Sequence, residues 1–183
     1  VAGAMKAESP RADVDLYGVD GRPFRFWVQQ SEREYLSAAA YEVTSAEAWQ
    51  ALAAAISQAG RPVEMGSPQD AEQRGVAAFF RTTDPAGNGL EFYHGDHGSD
   101  AAFVSPAGVS GFVTGEMGMG HAVLAAPDFA PTHAFYRDVI GLGDTDVPSF
   151  FLMGPDGPEM HFAFMHGSSG RHHSLAVAEM PTP

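Results

Sequence analysis

The order strand, helix, strand, strand, strand occurs twice in this chain, and that repeat constrains the fold more than any other feature. The copies cover 36–93 and 121–178, with starts about 80 residues apart. In the first copy, the apolar run 36–43 reads as a strand. Thr44 and Glu47 make a capping-box pattern ahead of a helix over 46–59. Trp49, Leu52 and Ile56 fall on one stripe of that helix, and Gly60 supplies its stop. A short strand near Val63, a brief helix from Ser67-Pro68 to Gly75, and strands over 76–81 and 90–93 follow. The last two flank the turn cluster Asp84-Pro85-Ala86-Gly87-Asn88-Gly89. The second copy reads as a strand over 121–125, a helix over 128–140 closed by Gly141, and strands over 149–153, 160–165 and 172–178.

Ahead of Leu36, strands over 14–17 and 23–28 with a hairpin turn at Asp20-Gly21 look like the tail of a third copy without its first strand and helix. The Gly-, Ser- and Asp-rich stretch 94–116 suits a linker. The expected organisation is an N-terminal domain over 1–97, a linker over 98–116 and a further module over 117–183. Modules of this kind pair, and their curled mixed sheets enclose a cleft. The fold class is therefore α+β.

Charge narrows the partners. Ten Lys and Arg against 23 Asp and Glu leave a net charge of −13, which repels phosphate backbones and argues against nucleic acid. No apolar run approaches the roughly 20 residues a bilayer span needs, so no membrane partner is expected. With no visible signal peptide, the cytoplasm is the default location. The chain has no cysteine, which removes thiolate nucleophiles and thiolate metal ligands and leaves eight histidines as the informative residues.

His121 opens the first strand of the second copy, after Met117-Gly118-Met119-Gly120. Alternation groups it with Val123 and Ala125, and groups His173 with Leu175 and Val177 on the last strand. In a curled βαβββ sheet, the first and last strands both present side chains to the concave side. On the same rule His172 points away from His173, and His161 and His166 lie on opposite faces as satisfied strand histidines. His133 reads as a surface or packing residue on its helix. His94-Gly95-Asp96-His97 lies in the linker, where ordering metal ligands costs entropy. Gly118-Met119-Gly120 lacks the strand-to-helix setting of a dinucleotide fingerprint, and Ser168-Ser169-Gly170 is a loop, not a nucleophile elbow.

Several separated motifs in order resemble the type I extradiol ring-cleavage dioxygenases of the vicinal oxygen chelate superfamily. They are Phe112-Val113-Thr114-Gly115-Glu116, then Met119-Gly120-His121-Ala122-Val123-Leu124, then Phe135-Tyr136-Arg137-Asp138-Val139-Ile140-Gly141-Leu142, then Arg171-His172-His173-Ser174-Leu175-Ala176. Asp84-Pro85 to Tyr93-His94-Gly95 is similar to the end of that family's N-terminal domain. Val104-Ser105-Pro106 and Met180-Pro181-Thr182-Pro183 fit the members acting on steroid-derived catechols.

The resemblance implies four βαβββ modules with the active site in the C-terminal pair. It also implies iron(II) held by two histidines and a glutamate, and extradiol cleavage of a catechol with O₂ in aromatic or steroid catabolism. By motif, His121 matches the first iron ligand and His173 the acid–base histidine, while Val123 and Phe164 match positions lining the substrate pocket. The second ligating histidine and the glutamate would fall after Pro183, and the first strand and helix of module one before Val1. The family commonly forms homo-oligomers. Two rival readings are a non-catalytic small-ligand binder of the same superfamily and an inactive fragment of the dioxygenase.

Overall fold

In the computed structural model, which describes residues 3–98, 102–151 and 154–180, the chain opens with a three-stranded antiparallel sheet. Its strands are β1 (Met5–Ala7), β2 (Val14–Gly18) and β3 (Phe26–Gln29), with β2 in the middle. Val14 and Leu16 alternate into the interior, as period-two pleating requires. The hairpin predicted at Asp20-Gly21 forms, but with a longer connection. Tyr17 pairs with Phe26, and the intervening loop is held by side chains: Arg25 forks onto the Asp20 carboxylate at 2.5–3.1 Å. The strand expected from Pro23 starts only at Phe26. Pro23 has no amide to give to a ladder.

The first full module contains β4 (Ala39–Glu42), α1 (Ala46–Gln58), β5 (Glu64–Met65), α2 (Pro68–Arg74), β6 (Val76–Thr83) and β7 (Gly89–Asp96). The sheet order is β4-β7-β6-β5, with β4 parallel to β7 and the other pairs antiparallel. The strand read from Leu36 is shorter, and Leu36 itself stays exposed. The helix cap also shifts by one residue: Ser45, not Thr44, is extended and accepts the Ala48 amide at 3.1 Å. Glu47 then stands one position too early to close the capping box, though its charge still favours the helix N-terminus. At the other end Gly60 adopts φ +75°. Its amide donates to Ser57 O and that of Arg61 to Ile56 O, which satisfies the last carbonyls. Trp49, Ala53 and Ile56 form the buried stripe of α1.

The second module contains β8 (Ala122–Ala125), α3 (Phe129–Ala134) continued by the π-helical segment Phe135–Ile140, β9 (Gly143–Asp146), β10 (Ser149–Phe150), β11 (Met160–His166) and β12 (Leu175–Ala178). The β9 strand was not expected from the sequence. It and β10 lie end to end along β11, as the two halves of one strand interrupted at Val147-Pro148. Counting them as one, the order is β8-β12-β11-β9/β10, with β8 parallel to β12. That is the topology of the first module, so the repeat read from the sequence is present in three dimensions. Of the strand expected over 149–153, residues 152 and 153 lie outside the described residues, as do 99–101 of the linker and both chain ends.

One apolar core joins the modules. Trp49, Ile56, Phe80, Leu90 and Phe92 of the first pack with Leu124, Phe135, Tyr136, Met165, Leu175 and Val177 of the second. Helix α1 meets the Phe135–Ile140 segment inside this seam. His94, expected in a linker, sits within β7 and packs at a steep tilt against Trp49 with ring centres 5.2 Å apart. Among the described residues no helix is long and apolar enough to cross a membrane.

Candidate functional site

Alternation sorts the second sheet into two faces. Leu124, Ala163, Met165, Leu175 and Val177 enter the shared core. Val123, Ala176 and Phe164 fall on the other face, in one row across β8, β12 and β11. Val123 and Phe164, the two predicted pocket residues, therefore do share a surface. Val123 is half exposed there.

His121 lies one residue ahead of β8, and His173 lies in the loop between β11 and β12. Their rings converge, with centres 4.3 Å apart, and the His173 ring also packs against Phe164 at 5.0 Å. The structure thus brings together His121, His173 and Phe164. It does so by a route the sequence misread. Alternation counted from β12 placed His173 on the face of Leu175 and Val177, yet that face is core. Residues 171–174 form a turn, not a strand, so the period-two rule does not extend to His173.

The same turn corrects the reading of His172. It does not point away from His173: the two Nδ1 atoms are 3.0 Å apart, and His172 Nε2 is 3.3 Å from Asp146 Oδ2. With both rings neutral, one of the facing Nδ1 atoms carries the hydrogen. Burial, then the charges of His121 and His172, push His173 below the usual histidine range, while Asp146 opposes them. These shifts favour the neutral imidazole, the form able to accept a proton.

His133, His161 and His166 have partners of their own. His133 pairs with Asp144 at 2.7 Å, His161 with Glu179 at 2.6 Å, and His166 Nδ1 lies 2.8 Å from Thr145 Oγ1. These agree with the packing and strand roles expected for them. Among the described residues no group of three or more His, Asp or Glu side chains has the geometry to hold a metal ion. The donor chemistry is right at His121, since neutral imidazole suits iron, but the described residues offer one expected ligand and not a full set. An open cleft of about 530 Å³ between β2 and α2, lined by Leu16, Phe24, Gln69 and Glu72, contains none of these histidines.

Sequence reasoning missed Asp146 and the contacts of Arg171. Asp146 lies on the unexpected strand β9. Arg171 was noticed only as the residue before the histidine pair, and its partners lie more than 50 positions away.

No protein-family model matches the chain. It is 41% identical over 170 residues to a biphenyl-2,3-diol 1,2-dioxygenase of Paraburkholderia xenovorans LB400, covering 92% of this chain and 56% of the relative. It is 34% identical over 187 residues to an iron-dependent extradiol dioxygenase of Rhodococcus jostii RHA1, covering 100% of this chain and 62% of the relative. The crystal structure of BphC, a halotolerant catechol dioxygenase, superposes with a TM-score of 0.87 at 29% identity, over 97% of this chain and 57% of that one. The chain therefore spans somewhat over half the length of the proteins it matches. The resemblance read from the separated sequence motifs is borne out in sequence and in fold, and relatives of this kind imply a metal cofactor.

Proposed function

We propose, the chain being a homologue of the extradiol catechol dioxygenases over nearly its whole length, that the protein opens a catechol ring beside the diol using O₂ and iron(II). The observation that carries this reading is the convergence of His121 and His173 beside Phe164 on the face turned away from the core. His121 would hold the iron as one of its ligands, through a neutral imidazole nitrogen. When bound, the metal supplies the Lewis-acid and redox chemistry that unites an aromatic diol with O₂.

The chain's own residues then have distinct tasks. Neutral His173 accepts the proton of a catechol hydroxyl at a ring nitrogen and returns it later to a developing oxygen anion. Phe164 and Val123 form an apolar wall for the aromatic ring, and the Phe164 ring also packs against the His173 imidazole. The substrate is a catechol such as 2,3-dihydroxybiphenyl or a steroid-derived catechol. The net charge of −13 fits a small-molecule substrate better than a polyanion. The proposal includes a homo-oligomer working in the cytoplasm, which sedimentation and cell fractionation check.

The test is oxygen uptake by the intact protein with 2,3-dihydroxybiphenyl, alongside metal analysis. His173→Ala lowers turnover by about 10²- to 10⁴-fold with iron retained, the range expected for a lost general acid–base. Unchanged turnover with iron retained removes His173 from its role, and a wild-type protein without oxygen uptake removes the whole reading.

A further inference from the structure

We propose that Arg171 is a positioning residue that sets the separation of His121 and His173 by clasping the backbone leading into one to the loop carrying the other. The inference rests on the function proposed above. Arg171 Nε donates to Met117 O at 2.8 Å, and its Nη2 donates to Gly118 O at 2.6 Å and to Val113 O at 3.1 Å. All three acceptors are main-chain carbonyls on the approach to His121. The guanidinium stands two residues from His173. On the far side of the same loop, Thr145 Oγ1 donates to His172 O at 2.6 Å, so the loop is held from both flanks.

Thr114 anchors the start of the clasped segment, buried and hydrogen-bonded to Asp20, but 115–120 has little else to define it. The turn Gly115–Met117 has only local backbone bonds, and Gly118 follows at φ +71°, a conformation that favours glycine. Val113 and Met119 are exposed, so apolar packing does not anchor the stretch. Among the described residues, the tertiary hydrogen bonds of 115–120 are those that Arg171 donates. Met117 O and Gly118 O lie at the end of a helical turn, where carbonyls lack partners and a cation is favoured. A planar fork of donors serves three carbonyls in fixed directions, and a lysine ammonium on a flexible stem does not reproduce that. The bond from Ala122 N to Ser174 O at 3.3 Å joins the strands just beyond, so the clasp acts on the part of each loop that the ladder leaves free.

The test compares wild type, Arg171→Ala and Arg171→Lys in the intact protein, first by peptide-resolved hydrogen exchange. Exchange over 113–120 and 171–174 rises about 10-fold or more in the variants, while α1 keeps its protection. In ring cleavage of 2,3-dihydroxybiphenyl, kcat falls about 10- to 100-fold because small displacements of reacting groups are costly. KM changes by less than about 3-fold, and millimolar guanidinium restores part of kcat in Arg171→Ala. Unchanged exchange overturns the clasp. Faster exchange with wild-type kcat and iron content makes Arg171 merely structural and overturns its positioning role. If Arg171→Ala does not fold, Arg171→Lys carries the comparison. A wild-type protein that cleaves no catechol defeats the proposed function instead, and the exchange measurement still decides whether the clasp exists.

Discussion

Tyr136 donates its phenolic hydrogen to Asp84 Oδ2 at 2.8 Å across the seam between the two modules, with both side chains buried. The same carboxylate accepts from the Asn88 amide at 2.9 Å and from Asn88 Nδ2 at 2.7 Å, and Asn88 Nδ2 reaches on to Ala125 O at 2.8 Å. Burial, then the charge of Asp84, push the Tyr136 hydroxyl far above the ordinary tyrosine range, so it remains a donor. Tyr136→Phe strands one lone pair of a buried carboxylate and costs about 1–3 kcal/mol of stability. Urea unfolding checks this: the midpoint drops with the slope unchanged. An unaltered midpoint shows that the seam bond contributes nothing net.

Glu91 supplies the pH dependence. Burial raises its carboxyl, but the hydrogen bonds and charge of Arg74, then those of Arg81, outweigh burial and hold it below the ordinary glutamate range. Arg74 forks onto it at 2.9 and 3.0 Å. A group whose folded pKa is depressed stabilises the fold fully above its unfolded pKa and loses that contribution as pH falls through the folded value. Glu91→Gln therefore destabilises by roughly 1–3 kcal/mol at neutral pH. The gap between variant and wild type closes on acidification below the unfolded carboxyl range. Melting curves at pH 7 and at pH near 3 read the difference. A gap that persists at the acid end contradicts the assignment.

Phe164 separates binding from support. Its ring lies on the proposed substrate face and against His173, while its neighbours Ala163 and Met165 are in the core. Phe164→Leu keeps an apolar wall but gives up aromatic contact, worth about 0.5–1.5 kcal/mol beyond area burial. We expect KM for 2,3-dihydroxybiphenyl to rise about 2- to 10-fold, with the melting temperature little changed. Steady-state kinetics and calorimetry on the same samples decide it, and a large loss of stability at constant KM refutes the division of faces.

The repeat was legible because helix and strand periodicities are local. Trp49, Leu52 and Ile56 announce α1, and Gly60 ends it where the sequence says. The unexpected β9 carries Gly143-Asp144-Thr145-Asp146, which has no apolar residue to betray a strand. It exists because the edge of β11 needs a partner. Ser45 and Thr44 are chemically alike, so only the backbone angle of the helix start chooses between them. His121 and His173 were found by motif, but the side on which His173 lies was misjudged, because the turn that carries it obeys no alternation. Asp84 and Tyr136, 52 positions apart, leave no pairwise signal in one sequence.

The two faces of the β8–β12–β11 surface answer to different demands. Leu124, Met165 and Val177 are locked into hydrocarbon shared with the neighbouring module, where a missing methyl group is felt across the seam. Val123 and Phe164, one residue out of step with them, carry no such structural obligation. Side chains at alternate positions of the same strands can thus be exchanged with the molecular foundation intact, a freedom that comes from the pleat itself.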